Sequence, residues 1–131
     1  AYIAGKPYEQ GIIQRRDQLL DILVNKSEKT VALLTGDEHN YNLLTITDDM
    51  PRYTENYEFE RLELKRKFYQ INNGAAGAPY YAQEETPWMD HLRNFSTQNA
   101  LVLIDIEGSK VYVRVKNPDT LEAIDEYWLR N

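Results

Sequence analysis

Gly36-Asp37-Glu38-His39-Asn40-Tyr41 sits between two apolar runs, VALLT before it and LLTI after it. Asp37 and His39 are two residues apart on a tight loop, so both side chains can reach one site. A carboxylate oxygen with an imidazole nitrogen is an ordinary ligand pair for Zn, Mn or Fe. His39 lies just past the end of an expected buried strand, and in α/β sheets ligands gather at the carboxyl ends of strands. The plain alternative is a polar turn with a solvated histidine. The chain has only two histidines, and one pair of groups does not close a metal site, which needs at least three protein ligands.

Other polar clusters offer less. Asp48-Asp49 opens an acidic loop, but the glycine and final glutamate of a calcium loop are out of register. Gly74 and Gly77 either let the backbone approach a phosphate or serve a tight turn with unusual φ. His91 has no motif partner and reads as surface or structural. Arg15 and Arg16 read as the solvated side of a helix, Glu38 as exposed, and Trp88 and Trp128 as core and rim.

Hydrophobic spacing supplies the elements that would carry the loop. Residues 1–8 form a lead-in punctuated by Gly5 and Pro7. Ile12, Ile13, Leu19, Leu20 and Leu23 fall mostly on one face of a helix expected over 9–25. Residues 30–35 and 42–47 read as strands, the first buried. Pro51 marks 48–59 as a loop. Leu62, Leu64 and the FYQIN run make 60–72 strand-like, with a bulge or break near Arg66 reconciling two phases. Residues 72–79 form a Gly-rich turn, and 80–95 read as irregular with a helical turn after Pro87. Leu101, Leu103 and Asp105 alternate with Val102, Ile104 and Ile106, then Val111, Val113 and Val115 follow Gly108, which is a β-hairpin. Residues 122–130 are a last strand. The pattern predicts a mixed α and β fold, mostly antiparallel, with one main helix.

Composition narrows the partners. The chain has 131 residues, 42% hydrophobic and 27% charged, with a net charge of −6, which suits one globular domain. That negative charge argues against nucleic acid or an anionic membrane surface as the main partner. A phosphorylated substrate stays open, because a bound metal supplies local positive charge. There are no cysteines, so there are no disulfides or thiolate sites, and the compartment is left open. The start AYIAGKPYEQ, without Met, suggests a processed product or a fragment. The surplus of strands over helices points the same way.

The stretch LLDILVNKSEKTVALLTGDEHNYNLL resembles the region around the last metal motif of calcineurin-like metallophosphoesterases. There an amphipathic helix and a buried strand lead into Gly-His-x-His, followed in the purple-acid-phosphatase-like branch by a Tyr. Gly36, His39 and Tyr41 match, while Asp37 stands where the first His is expected. QINNGAAGAPYY and LVLIDIEGSKVYVRV resemble the following Gly-rich turn and C-terminal strands, so the likeness runs along nearly the whole chain. It implies a two-sheet sandwich flanked by helices, of which this chain would be the C-terminal half. It implies a two-metal site (Mn, Fe or Zn) hydrolysing phosphomonoesters or phosphodiesters, with His39 and Asp37 as metal ligands. Asp37 is either an oxygen ligand replacing imidazole, an outer group, or the mark of a weakened site. Asn40 and Tyr41 would line the substrate pocket, although a turn Asn and a half-buried Tyr read equally well. The family's upstream motifs, Asp-x-His, Gly-Asp-x-x-Asp, Gly-Asn-His and a lone His, are not in this chain, so the fragment alone is expected to be inactive. The expected partners are the phosphate ester, the missing N-terminal half, and a second copy through an open sheet edge. The reading from another class is a non-catalytic β-rich binding or assembly module in which GDEHNY is only a turn.

Overall fold

The computed structural model describes residues 12–79 and 85–131. The lead-in at 1–8 and the whole YYAQE run, 80–84, lie outside the described residues. A helix, α1 (Ile12–Leu20), continues directly into a π-helical turn, Asp21–Asn25. Among the described residues seven strands follow: β1 (Ala32–Thr35), β2 (Tyr41–Ile46), β3 (Phe68–Asn73), β4 (Leu92–Ser96), β5 (Leu101–Glu107), β6 (Lys110–Lys116) and β7 (Ala123–Arg130). They form a four-stranded sheet, β1-β3-β2-β4, and a three-stranded sheet, β5-β6-β7. The one parallel pair among these is β1 with β3. The result is a small α+β fold, as the spacing predicts.

The two central strands of the four-stranded sheet are buried on both faces, which is why β2 and β3 are apolar or amide at nearly every position, whereas β1, expected to be buried, is an edge strand among the described residues and is only partly covered. The sheet's inner face carries Tyr41, Leu43, Tyr69 and Ile71 against Val113, Val115 and Tyr127 of the other sheet. Its outer face carries Leu44, Ile46 and Phe68 against Leu20 and Val24 of the helical segment. The hairpin β5–β6 turns at Gly108-Ser109, with Gly108 at φ +60°. A two-residue turn with glycine first is what type II′ geometry requires.

The helix does not bury the face expected of it. Ile12, Leu19 and Ile22 are exposed, and the buried stripe is Arg16, Asp17, Leu20 and Val24. Arg16 is therefore not on a solvated side. Its guanidinium donates to Asp17 Oδ1 and, at 2.6 Å, to the carbonyl of Arg52. Asp17 Oδ2 accepts from the Tyr53 hydroxyl at 2.9 Å. The stripe begins polar because it meets the polar loop after β2, and becomes apolar where it meets the sheet.

Residues 60–67 are not a strand. The amides of Leu62, Leu64 and Lys65 donate to side chains: the Tyr53 hydroxyl, Asp48 Oδ1 and Asn25 Oδ1. Leu62 and Leu64 still point into the helix-side core, which is why they alternate like a strand. Asp48 also pairs with the buried Arg52 at 2.8 Å. Arg66, where a bulge was expected, closes the helical segment instead. Its guanidinium donates to the carbonyls of Leu23, Val24, Ser27 and Thr30 at 2.7–3.1 Å. These carbonyls lie in and after the last turn, where a helix has no internal donors left. In the irregular 80–95 region, the turn after Pro87 is a short 3-10 helix, Met89–His91. It leads into β4, a strand the spacing does not announce. β4 pairs with β2 across a register shift at Leu43/Leu44, and a shifted register erases alternation.

Replacing Arg66 with Met keeps much of the aliphatic stem and removes the donors. The expected loss is about 3 kcal/mol, since one hydrogen bond from a charged group contributes roughly 1.5–3 kcal/mol. The check is the urea midpoint, which should fall with little change in slope.

Candidate functional site

β1 and β3 run parallel, so the loops that follow them leave the same end of the sheet. Residues 36–40 form the first loop and 74–79 the second. The first is very tight. Asp37 takes φ +80°, a left-handed conformation that aspartate tolerates better than most residues. The Asn40 amide donates to the Glu38 carbonyl at 2.7 Å. His39 is thus the central residue of a three-residue γ-turn, a device common at strand ends.

The second loop fixes the histidine ring. His39 Nδ1 lies 2.5 Å from the carbonyl oxygen of Pro79. A carbonyl only accepts, so Nδ1 carries the hydrogen and the lone pair of the neutral ring is on Nε2. Ligating histidines are oriented in this way, through a hydrogen bond from the other ring nitrogen. Asp37 is exposed and His39 is half-buried. The donor set is an imidazole with an assigned tautomer and a carboxylate two residues away, which fits two ligands of a transition-metal site. Among the described residues, no group of three or more His, Asp and Glu gathers to complete one.

The other two candidates turn inward. Asn40 is buried, and its Oδ1 accepts from Asn42 Nδ2 at 2.6 Å. Tyr41 is 0% exposed and belongs to the core between the sheets. Its hydroxyl donates to Asp125 Oδ2 of β7 at 2.8 Å and sits 3.4 Å from the Tyr127 hydroxyl. Among the described residues, neither lines the two main clefts, which lie beside the helix and the loop after β2. Tyr41 instead ties the two sheets together across their apolar interior. The strand alternation of 41–46 carries a signal of this, because it puts Tyr41 on the same face as Leu43.

Gly74 does approach a backbone closely, but the backbone is the chain's own. A Cβ on Gly74 would lie 1.9 Å from the Glu38 carbonyl oxygen. The unusual φ belongs to Gly77, at +86°. His91 lies away from the loop, with Nδ1 3.4 Å from the Thr47 hydroxyl.

Burial pushes the Tyr41 phenol far above its ordinary range, with the Tyr127 hydroxyl and the Asp125 carboxylate adding to it. Burial also pushes Tyr127 up to about 12, against an opposing effect of its hydrogen bond with Tyr41. In the unfolded chain both titrate near 10. Below pH 10 both phenols are neutral in both states and add no pH dependence. Above pH 10 the unfolded chain loses protons that the folded chain keeps, so stability falls from about pH 10 through 12. Urea midpoints at pH 9 and pH 11 test this: the drop should be smaller in the double variant Tyr41→Phe/Tyr127→Phe. At pH 8, Tyr41→Phe alone should lose about 1–2 kcal/mol, because Asp125 loses a hydrogen-bond donor.

No protein-family model, curated protein or solved structure matches this chain.

Proposed function

We propose that the chain is the C-terminal part of a calcineurin-like metallophosphoesterase, and that His39 supplies a ligand to its metal site. The observation that carries this reading is the γ-turn past β1, with Nδ1 of His39 held on the Pro79 carbonyl. It gives the imidazole the tautomer and support of a ligating histidine. Asp37 stands beside it as a second oxygen donor, which favours harder cations than a second imidazole would. Two bound divalent or trivalent cations would polarise a phosphoryl oxygen and lower the pKa of a water. In this chain His39 and Asp37 hold position, and Tyr41 and Asn40 anchor the turn from beneath.

The remaining ligands belong to a part of the domain outside this chain. Two exposed apolar side chains support this. Leu34, on the inner face of β1, is 60% exposed, and Ile106, on the inner face of β5, is 71% exposed. β1 and β5 are edge strands among the described residues. An open edge beside uncovered apolar residues is a surface made for further strands.

The test uses the protein translated from the whole reading frame. It should carry stoichiometric metal and hydrolyse an aryl phosphate. His39→Ala should lower that activity by more than about 100-fold, beyond the 10- to 100-fold typical of an outer partner. Asp37→Ala should lower metal content. The 131-residue chain alone should not turn over an aryl phosphate with added Mn²⁺. Metal content and activity unchanged in both variants would leave GDEHNY as a turn and the chain as a binding module.

A further inference from the structure

The turn that carries His39 has a clamp that no motif in the sequence announces. Asn72, near the end of β3, is 2% exposed. Its Nδ2 donates to the carbonyl of Glu38 at 3.0 Å and to the carbonyl of Asn40 at 2.8 Å, with Asn40 Oδ1 at 3.3 Å. One carboxamide therefore spans the residues before and after His39. The two hydrogens of the amide match the two carbonyls, and its oxygen accepts from the Thr35 hydroxyl at 3.4 Å. Beside it, the Gly74 amide donates to the Asn40 carbonyl at 3.2 Å, and the bare Cα of Gly74 leaves room for Glu38. A γ-turn closes few atoms and holds little geometry of its own, so its shape must come from such outside partners.

We propose that Asn72 is a positioning residue for His39. By fixing both carbonyls of the γ-turn, it holds the ring where Nδ1 meets Pro79 and Nε2 carries the lone pair. The metal-binding consequence rests on the reading of His39 as a ligand, whereas the effect on the tautomer stands without it. Asn72→Asp keeps size and shape but sets carboxylate oxygens against carbonyl oxygens. Asn72→Ser keeps one donor that is too short to span both.

The experiment is long-range ¹H–¹⁵N spectroscopy of the histidine rings at pH 8 on the 131-residue chain, followed by Mn²⁺ titration read as paramagnetic broadening. In the wild type, His39 should show the Nδ1–H tautomer and broaden with Mn²⁺. In Asn72→Asp the signature should move towards Nε2–H, with at least a 10-fold higher Mn²⁺ requirement. A core variant away from the loop, Val113→Ala, should lower stability and keep the Nδ1–H signature. If Asn72→Asp keeps the wild-type signature and Mn²⁺ response, the proposal is overturned. If Asn72→Asp does not fold, Asn72→Ser decides, and an unchanged tautomer there overturns it equally. A tautomer that moves in a chain whose wild type never broadens would keep Asn72 as the positioner and remove His39 as a ligand.

Discussion

The Glu38 carbonyl lies where a side chain on Gly74 would have to be, and much of the architecture serves that approach. For two loops to touch so closely, the strands before them must run parallel as neighbours and end level. β1 and β3 do so, ending opposite one another at Thr35 and Asn72. β2 then returns antiparallel on the other side of β3, so the short loop 36–40 must cross over the end of β3. A crossing at backbone distance leaves no room for a Cβ and calls for a donor from below. Gly74 and Asn72, two residues apart at the end of β3, meet those two needs. The histidine stands where it does because of strand order.

The same sheet separates two environments. Its outer face meets a helical segment whose inner stripe starts with an ion pair and ends with apolar residues. Its inner face meets three antiparallel strands and is mainly apolar, with Tyr41 reaching a carboxylate across it. The buried Tyr41 hydroxyl is tolerable there because the half-buried Asp125 carboxylate accepts its hydrogen. Asp125 reaches inward from β7, beside Tyr127, and the pair locks the register of the second sheet against the first. Apolar packing alone would permit sliding. A directional bond at one end does not.

Local pattern and long-range partnership explain what could be read from the sequence. The hairpin 101–116, the last strand and β2 were legible because alternation and a turn glycine are local signals. The placement of His39 past a strand end was legible for the same reason. Leu62 and Leu64 misled, because their alternation reflects a shared core while their backbone bonds go to Tyr53, Asp48 and Asn25. Arg16 and Arg66 also misled. An arginine reads as solvated until its acceptors are known, and these carbonyls are distant in the chain. The inward turn of Asn40 was hidden because Asn72, its partner, is 32 residues away. Such amides look like ordinary polar strand positions until two loops are brought together.

Arg66 satisfies carbonyls that precede it by 36 to 43 residues. The end of the helical segment is therefore finished by a residue that leaves the ribosome well after it. Until then those carbonyls have only water to bond to. Consolidation must wait for β2 and the long loop to be synthesised. Arg66 and Asn72 stand six residues apart, so one short segment both closes the helical end and supplies the floor of the histidine turn.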